Sequence, residues 1–324
     1  MVGATGTIGR ATVRALRRRG IEVVALTRGG DRSTSARRGA PTPPPSAADV
    51  TWRQGDVSSP ESILFDGLCG ERFDAVISCM ASRTGAPKDA WAIDHAAHGH
   101  LLAAAREAGV PRFVQLSAIC VQKPRLAFQH AKLAFERELM ASGLTWSIVR
   151  PTAFFKSLSG QLRRLQQGKP FLLFGDGTLT ACKPISDDDL GEYLVGCLDD
   201  PTRQQRILPI GGPGAAITPR EQGEALFRLL GQTPRFKSVS PNLLRGIGGV
   251  LGAVARVVPP LAGPAEFARI GHYYATESML VWDERAGRYD ADATPSFGTE
   301  TLFDHYARLV RGDSDNERRE HAVF

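Results

Sequence analysis

Glycine recurs at positions 3, 6 and 9 in the string GATGTIG, a G-x-x-G-x-x-G spacing that sits where a strand should turn sharply into a helix. Small side chains there let the main chain approach a diphosphate closely. The N–H groups that a helix start leaves unbonded, helped by the helix dipole, then hold the negative charge. Gly3, Thr5, Gly6, Thr7, Ile8 and Gly9 are therefore the first cofactor-binding candidates. Ile8, Ala11, Val13 and Leu16 mark the inward face of the helix that follows, and Glu22 to Leu26 reads as a short buried strand. Together they make half of a βαβ unit. Only Met1 and Val2 precede Gly3, whereas a central strand needs about five residues. The expectation is a start downstream of the natural one, with higher thermal stability and tighter cofactor binding once the upstream codons are restored.

The residue ending that strand selects between dinucleotides, because an acidic side chain accepts hydrogen bonds from a ribose 2′-OH and repels a 2′-phosphate. This chain has Thr27-Arg28 there, and the guanidinium fork of Arg28 suits a phosphate, so NADPH is expected over NADH. Arg32, Arg37 and Arg38 follow within residues 29 to 49, a Gly-, Ser- and Pro-rich run that reads as an exposed loop. Asp56, after Gly55, is either an adenine contact or the cap of a turn. Nine Arg against two acids over residues 1 to 40 carry a balance of +7, so a chain of net charge +6 is close to neutral elsewhere. Aromatics do not interleave with these arginines, which points away from nucleic acid and towards an anionic cofactor. Arg14, Arg17 and Arg18 read as a solvated helix face.

Further strands are predicted at 50 to 54, 73 to 79, 112 to 117 and 145 to 149, with helical patterns at 60 to 69, 88 to 109 and 127 to 142. This alternation through residues 1 to 150 predicts an α/β fold, a Rossmann-type doubly wound parallel sheet that binds its ligand at the carboxyl ends of the strands. Beyond Arg150-Pro151, shorter elements broken by Gly and Pro predict a smaller α/β substrate lobe with C-terminal helices over 151 to 310, then a frayed charged tail over 311 to 324. Within the lobe, NLLRGIGGVLGAVARVVPPLA at 242 to 262 is apolar but broken by Arg245, Arg256 and a Pro pair. It reads as a packed helix, the wall of a greasy cleft or a peripheral membrane contact. No apolar run reaches the roughly 20 residues that span a bilayer. Cys69, Cys79, Cys120, Cys182 and Cys197 are scattered without a C-x-x-C pair, so neither disulfides nor a metal site is expected, and a reducing cytoplasm is the default.

GATGTIG ahead of an alternating chain resembles the extended or atypical short-chain dehydrogenase/reductase superfamily, NmrA-like proteins included. More specific strings follow in order: SCMASRTGAPKDAWAID (78 to 94), LSAICVQKPRLAFQHAKLAFE (116 to 136), SIVRPTAFFKSL (147 to 158), GDGTLTACKPIS (175 to 186), LPIGGPGAAITPREQGE (208 to 224) and YYATESMLV (273 to 281). These resemble the NADPH-dependent divinyl chlorophyllide 8-vinyl reductases over most of the chain. The resemblance implies an oxidoreductase of chlorophyll or bacteriochlorophyll biosynthesis that reduces the 8-vinyl group of 3,8-divinyl chlorophyllide or protochlorophyllide to ethyl, with NADPH as hydride source. It also implies the simple NADPH form, since the cysteine spacing lacks cluster-ligand patterns. The lack of a transit peptide is expected of a bacterial, cytoplasmic version peripheral to a photosynthetic membrane.

Most short-chain reductases use Y-x-x-x-K, with Tyr as proton donor and Lys lowering its pKa and holding the nicotinamide ribose. Here the pattern is Phe128-x-x-x-Lys132, still on one helical face but without the donor. That departure suits a conjugated carbon–carbon double bond, because the macrocycle delocalises the charge left by hydride addition. Lys132 is expected to position the ribose and to donate the remaining proton, with Tyr273 or Tyr274 as rival donors. Ser117 either takes the place of the superfamily's active-site serine or is a plain strand-end turn serine, and Pro151 and Thr152 end the next strand beside the nicotinamide. Phe154 and Phe155 are either walls of the tetrapyrrole cleft or core. Lys156, Lys183 and Arg150 are candidates for the pigment's propionate, or else solvated charge. His95, His98 and His100 lie near Asp94 without a zinc-ligand pattern. Two competing readings are an NmrA-like redox sensor that binds NADP(H) without consuming it, and an isoflavone-reductase-like enzyme acting on a phenolic substrate.

Overall fold

The computed structural model describes residues 1–28, 50–255 and 262–312. The expected loop at 29 to 49 with Arg32, Arg37 and Arg38, the Arg256 and Pro-pair break, and the tail beyond Gly312 lie outside the described residues. In chain order the elements begin with α1 (Thr7–Arg18), β1 (Val23–Thr27), β2 (Val50–Gln54), α2 (residues 60–68) and β3 (Val76–Ser78). Next come α3 (residues 87–107), β4 (Arg112–Leu116), α4 (Ala127–Met140), β5 (Thr145–Pro151) and β6 (Phe171–Phe174). Then follow α5 (Asp187–Gly196), β7 (Arg206–Ile210), α6 (Pro219–Leu229), β8 (Phe236–Val239) and α7 (Pro241–Val254). Last are α8 (Ala262–Thr276), β9 (Val281–Asp283), β10 (Arg288–Asp290) and α9 (Leu302–Arg311). The chain forms two compact units that interleave in sequence: Met1–Ser117, Ala127–Val149 and Leu190–Leu208 make one, and Ala118–Leu126, Arg150–Asp189 and Pro209–Phe324 the other.

The first unit is built on a sheet in which β1 pairs with β2, and β3, β4, β5 and β7 lie side by side in that order; β1–β2, β3–β4 and β4–β5 are parallel. Val2 joins the two halves by bridging Leu26 on one side and Ser78 on the other, both in parallel. Its N–H donates to the Ile77 carbonyl at 3.1 Å and its carbonyl accepts from Cys79 N–H at 3.0 Å, while Leu26 N–H donates to the Met1 carbonyl at 3.0 Å. Two residues thus hold the central strand position directly before the glycine turn. In α1, Ile8, Ala11, Thr12, Ala15 and Leu16 are buried, as a 3.6-residue period from Ile8 requires. Val13, expected inward, lies off that stripe and is only half-buried. Arg18 is not merely solvated, because it meets Glu192 of α5 at 2.7 Å, an exposed pair worth little. Phe113, Phe135, Leu139, Trp146 and Ile148 anchor the core between the sheet, α3 and α4.

In the second unit β6 pairs with β8 in parallel and β9 with β10 antiparallel. Phe155, Leu165, Phe171, Phe227 and Tyr306 form its core. Capping boxes, Thr218 with Glu221 and Thr301 with Asp304, fix the starts of α6 and α9. Helix α7 packs on α8 but buries only Gly248 of its own residues, leaving Leu243, Ile247, Val250 and Val254 exposed. Among the described residues no helix is long and apolar enough to cross a membrane.

Candidate cofactor and catalytic site

Gly3 turns the chain at φ +74°, a conformation that L side chains rarely adopt, and a Cβ there would stand 2.5 Å from the Cys79 carbonyl carbon. A Cβ on Gly9 would stand 2.0 Å from the Gly3 carbonyl oxygen, so the third glycine lets α1 begin hard against the turn. Gly6 is the N-cap of α1; no side chain caps this end and its first turn has no acid. Thr7 and Ile8 follow as the first helical residues, with the Ile8 side chain in the core, so that its main chain is what can face a ligand. Thr5 is half-buried beside them. A narrow main-chain cradle at the positive end of a helix dipole fits a dinucleotide diphosphate.

Beside the cradle, Thr27 and Gln54 are paired across β1 and β2, so Arg28 and Asp56 leave adjacent strand ends. Arg28 is exposed. Asp56 Oδ1 accepts from Ser58 N–H at 2.9 Å and from the Ser58 hydroxyl at 2.6 Å. Those bonds, more than the nearby Arg28 charge, hold its carboxyl below the usual range. Asp56 therefore caps a turn, the second of its two expected roles.

The α4 face carries two buried polar pairs. Lys132 Nζ lies 2.9 Å from Asp94 Oδ1, with the lysine side chain 7% exposed and the aspartate fully enclosed. Ser82 N–H also donates to Asp94 Oδ1, at 3.2 Å, and the other carboxylate oxygen is buried with no partner in the protein. One turn further along α4, Glu136 accepts from the Ser117 hydroxyl at 2.5 Å, both side chains being buried. Ser117 is thereby committed to a carboxylate rather than left as a plain strand-end hydroxyl. Phe128, one turn before Lys132, is half-buried. In α3 the helix widens into π geometry over Trp91–Ala97. Asp94 sits in that widened stretch, and His98 directly after it is likewise fully buried.

His98 Nδ1 lies 2.8 Å from the Ile93 carbonyl, which can only accept, so this nitrogen carries the proton and Nε2 accepts from the Ser78 hydroxyl at 2.8 Å. Burial, reinforced by the Lys132 charge, pushes His98 from 6.5 down to about 4. The unfolded chain thus binds more protons than the native state between those values, and stability is lost as pH falls from 6.5 to about 4. His98 alone contributes about 3 kcal/mol to that loss. Urea unfolding of a His98→Gln variant across this window should show a correspondingly flatter pH dependence; identical slopes would place the acid lability in other groups.

In the second unit, Thr152 N–H donates to the Ile210 carbonyl at 2.9 Å and its hydroxyl to the Lys183 carbonyl, directly after Pro151 closes β5. Two expectations are corrected there. Phe155 is 2% exposed and belongs to the core, because its helical turn faces Leu162 and Phe171. Lys183 donates to the Thr294 carbonyl at 3.0 Å, which makes it a structural cation. Phe154, Lys156 and Arg150 are half-buried. Tyr273 donates to the carbonyls of Cys120 and Lys123 at 2.9 and 3.1 Å. The Tyr274 hydroxyl faces Cys120 Sγ at 3.8 Å, and desolvation raises its pKa well above the ordinary value. Asp94, His98 and Glu136 were not assigned roles from sequence. Their signal was a charged or polar residue at an inward position of an otherwise apolar helix face. Among the described residues no three His, Cys, Asp or Glu side chains gather as a metal site.

The fold and the glycine cradle define a Rossmann-type NAD(P)H-binding protein, and the NAD(P)H-binding family model matches residues 3–201. An NADPH-dependent quinone oxidoreductase from Escherichia coli, solved with NADPH, superposes with a TM-score of 0.66 over 95% of this chain and 98% of its own at 16% identity, a likeness of fold. The UDP-glucose 4-epimerase of Thermus thermophilus, solved with NAD, gives 0.64 over 97% and 98% at 18% identity. In sequence, the divinyl chlorophyllide a 8-vinyl-reductase of Zea mays is 46% identical over all of this chain and 82% of its own length, and that of Arabidopsis thaliana 45% over 96% and 76%. The chain belongs to the divinyl chlorophyllide a 8-vinyl-reductase family.

Proposed function

We propose that this protein reduces the 8-vinyl group of 3,8-divinyl chlorophyllide or protochlorophyllide to ethyl, with the cofactor held in the first unit and the second unit serving as substrate lobe. The full-length identity of 46% to the maize reductase carries this reading. NADPH, when bound, supplies a hydride to the outer vinyl carbon as the carbon–carbon π bond breaks, leaving NADP⁺. The inner carbon then needs a proton. Lys132, set 2.9 Å from Asp94 Oδ1, is suited to hold the nicotinamide ribose and to deliver that proton. It ranks ahead of Tyr273, whose hydroxyl proton is spent on main-chain carbonyls, and of Tyr274, whose raised pKa makes it a weaker acid. Ser117 and Glu136 hold α4 in register with the sheet, while Pro151 and Thr152 edge the nicotinamide position and Phe154 and Lys156 contribute to the pigment side.

NADPH consumption followed by absorbance, with and without divinyl chlorophyllide, tests the reaction. A non-catalytic sensor would bind the cofactor and never oxidise it, and a phenolic-substrate reductase would respond to a different panel. Arg28 in place of an acid at the end of β1 supports NADPH over NADH. An Arg28→Ala variant is expected to weaken NADPH about tenfold in fluorescence titration and to leave NADH unchanged; equal losses for both cofactors would remove Arg28 from the 2′-phosphate. The exposed apolar face of α7 supports peripheral contact with a membrane.

A further inference from the structure

The chain leaves the first unit after Ser117 and re-enters it at Ala127, the first residue of α4; the stretch between, Ala118–Leu126, belongs to the second unit. It opens with a 3₁₀ turn at Ile119–Gln122 and runs through Lys123, Pro124 and Arg125 to a buried Leu126. Its anchors come from α8 and from the β9–β10 hairpin. The Tyr273 hydroxyl faces the Cys120 and Lys123 carbonyls, and the Gln122 side chain donates to the Leu280 carbonyl at 2.5 Å and accepts from Trp282 N–H at 2.8 Å. Lys123 Nζ lies 4.0 Å from the Trp282 ring centroid, a cation–π distance. Three donors then converge on one carboxylate. Glu277 Oε2 accepts from Lys123 Nζ at 2.6 Å and from the Tyr289 hydroxyl at 2.6 Å, while Oε1 faces Arg125 at 2.9 Å.

The Glu277 side chain is 7% exposed. Desolvation works against its charge, but the bonds from Lys123 and Tyr289 and the Arg125 charge outweigh it and leave the carboxyl below its ordinary range. Helix stability does not account for an acid at this place. The Glu277 N–H donates back to the Tyr273 carbonyl at 2.8 Å, so the residue stands at the last turn of α8, the negative end of the helix dipole. The offset comes from the partners it gathers, two of them in the stretch before α4.

We infer that Glu277 is a positioning residue of the reductase: by holding Lys123 and Arg125 it fixes the stretch from which α4 starts, and so the place of Phe128 and Lys132 one and two turns further on. This rests on the proposed role of Lys132 in the reaction. Peptide continuity carries the effect, because a helix moves as a rod and a shift at its first turn reaches Lys132. A displacement of about 1 Å is enough to cost a reaction up to roughly 10²-fold in rate.

Glu277→Gln keeps the shape of the side chain and removes its charge. Wild type, Glu277→Gln, Lys123→Gln, the double variant and Thr301→Ala are compared for turnover with divinyl chlorophyllide, for NADPH affinity by fluorescence, and for amide hydrogen exchange over residues 118–132 by mass spectrometry. Thr301→Ala is the stability control, since it removes the α9 capping box in the same unit. Glu277→Gln is expected to lower kcat about tenfold, to leave KM and NADPH affinity unchanged, and to speed exchange over residues 123–128. Lys123→Gln should act alike, and the double variant should lose no more than either single one, because both changes break the same contact. Thr301→Ala should lower the melting temperature and leave kcat and this exchange as in wild type. Wild-type kcat in Glu277→Gln, additive losses in the double variant, or a kcat loss that Thr301→Ala reproduces at an equal fall in melting temperature would each overturn the inference. Faster exchange in Glu277→Gln beside a wild type that never oxidises NADPH with the pigment would keep the hold on the stretch and sink the proposed reaction.

Discussion

Lys132→Met is expected to cut kcat/KM for divinyl chlorophyllide by about 10²–10⁴-fold, the range that a positioned proton donor supplies. The same change should cost stability, because Asp94 would be left as a buried carboxylate with no cation, and breaking a buried pair costs about 3–5 kcal/mol. The two effects separate in the Lys132→Met, Asp94→Asn double variant, which removes the stranded charge. Its urea midpoint should recover much of the loss while turnover stays low. Recovery of turnover along with stability would make the pair structural only, and near-normal turnover in the single variant would end any role for Lys132 in the reaction.

Gly9→Ala should be the most damaging change in the cofactor cradle. The added methyl would stand 2.0 Å from the Gly3 carbonyl oxygen and 2.9 Å from Ala4 Cα, so main chain rather than a flexible side chain must move. Helix α1 has little room to retreat, since a Cβ on Gly191 of α5 would already meet the Ala11 carbonyl carbon at 2.8 Å. Overpacking of this kind costs about 1–3 kcal/mol, and opening the turn should weaken NADPH by about 100-fold or more. Gly6→Ala is the informative contrast. Its Cβ finds the nearest protein atom at 3.4 Å in an ordinary backbone conformation, so the melting temperature should hold while NADPH weakens about tenfold, because the methyl faces the ligand side. Wild-type NADPH affinity in Gly9→Ala would mean that the diphosphate does not bind at this turn.

Local pattern carried most of the first unit. The strand expected at 50 to 54 is β2 to the residue, and the helix expected at 127 to 142 is α4 less its last two residues. Both are set by side-chain periodicity, which acts within a few residues. Reading failed where burial depended on distant neighbours. Val13 is a different case, a miss of period rather than of packing, because the 3.6-residue stripe from Ile8 runs through Ala15 instead. Phe155 beside Phe154 gave no hint that one turns into the core, and Lys183 no hint that a carbonyl at Thr294 would take its ammonium.

What the amino-acid order determined by itself was the glycine turn, the alternation of strand and helix, and the absence of an acid after β1, since each depends on steric or charge properties of adjacent residues. Only the tertiary structure decided that Asp94 would meet Lys132 and that Ser117 would meet Glu136. Those contacts join α4 to α3 and to the end of β4, and a charge finds such a partner only when packing excludes the water that would otherwise solvate it.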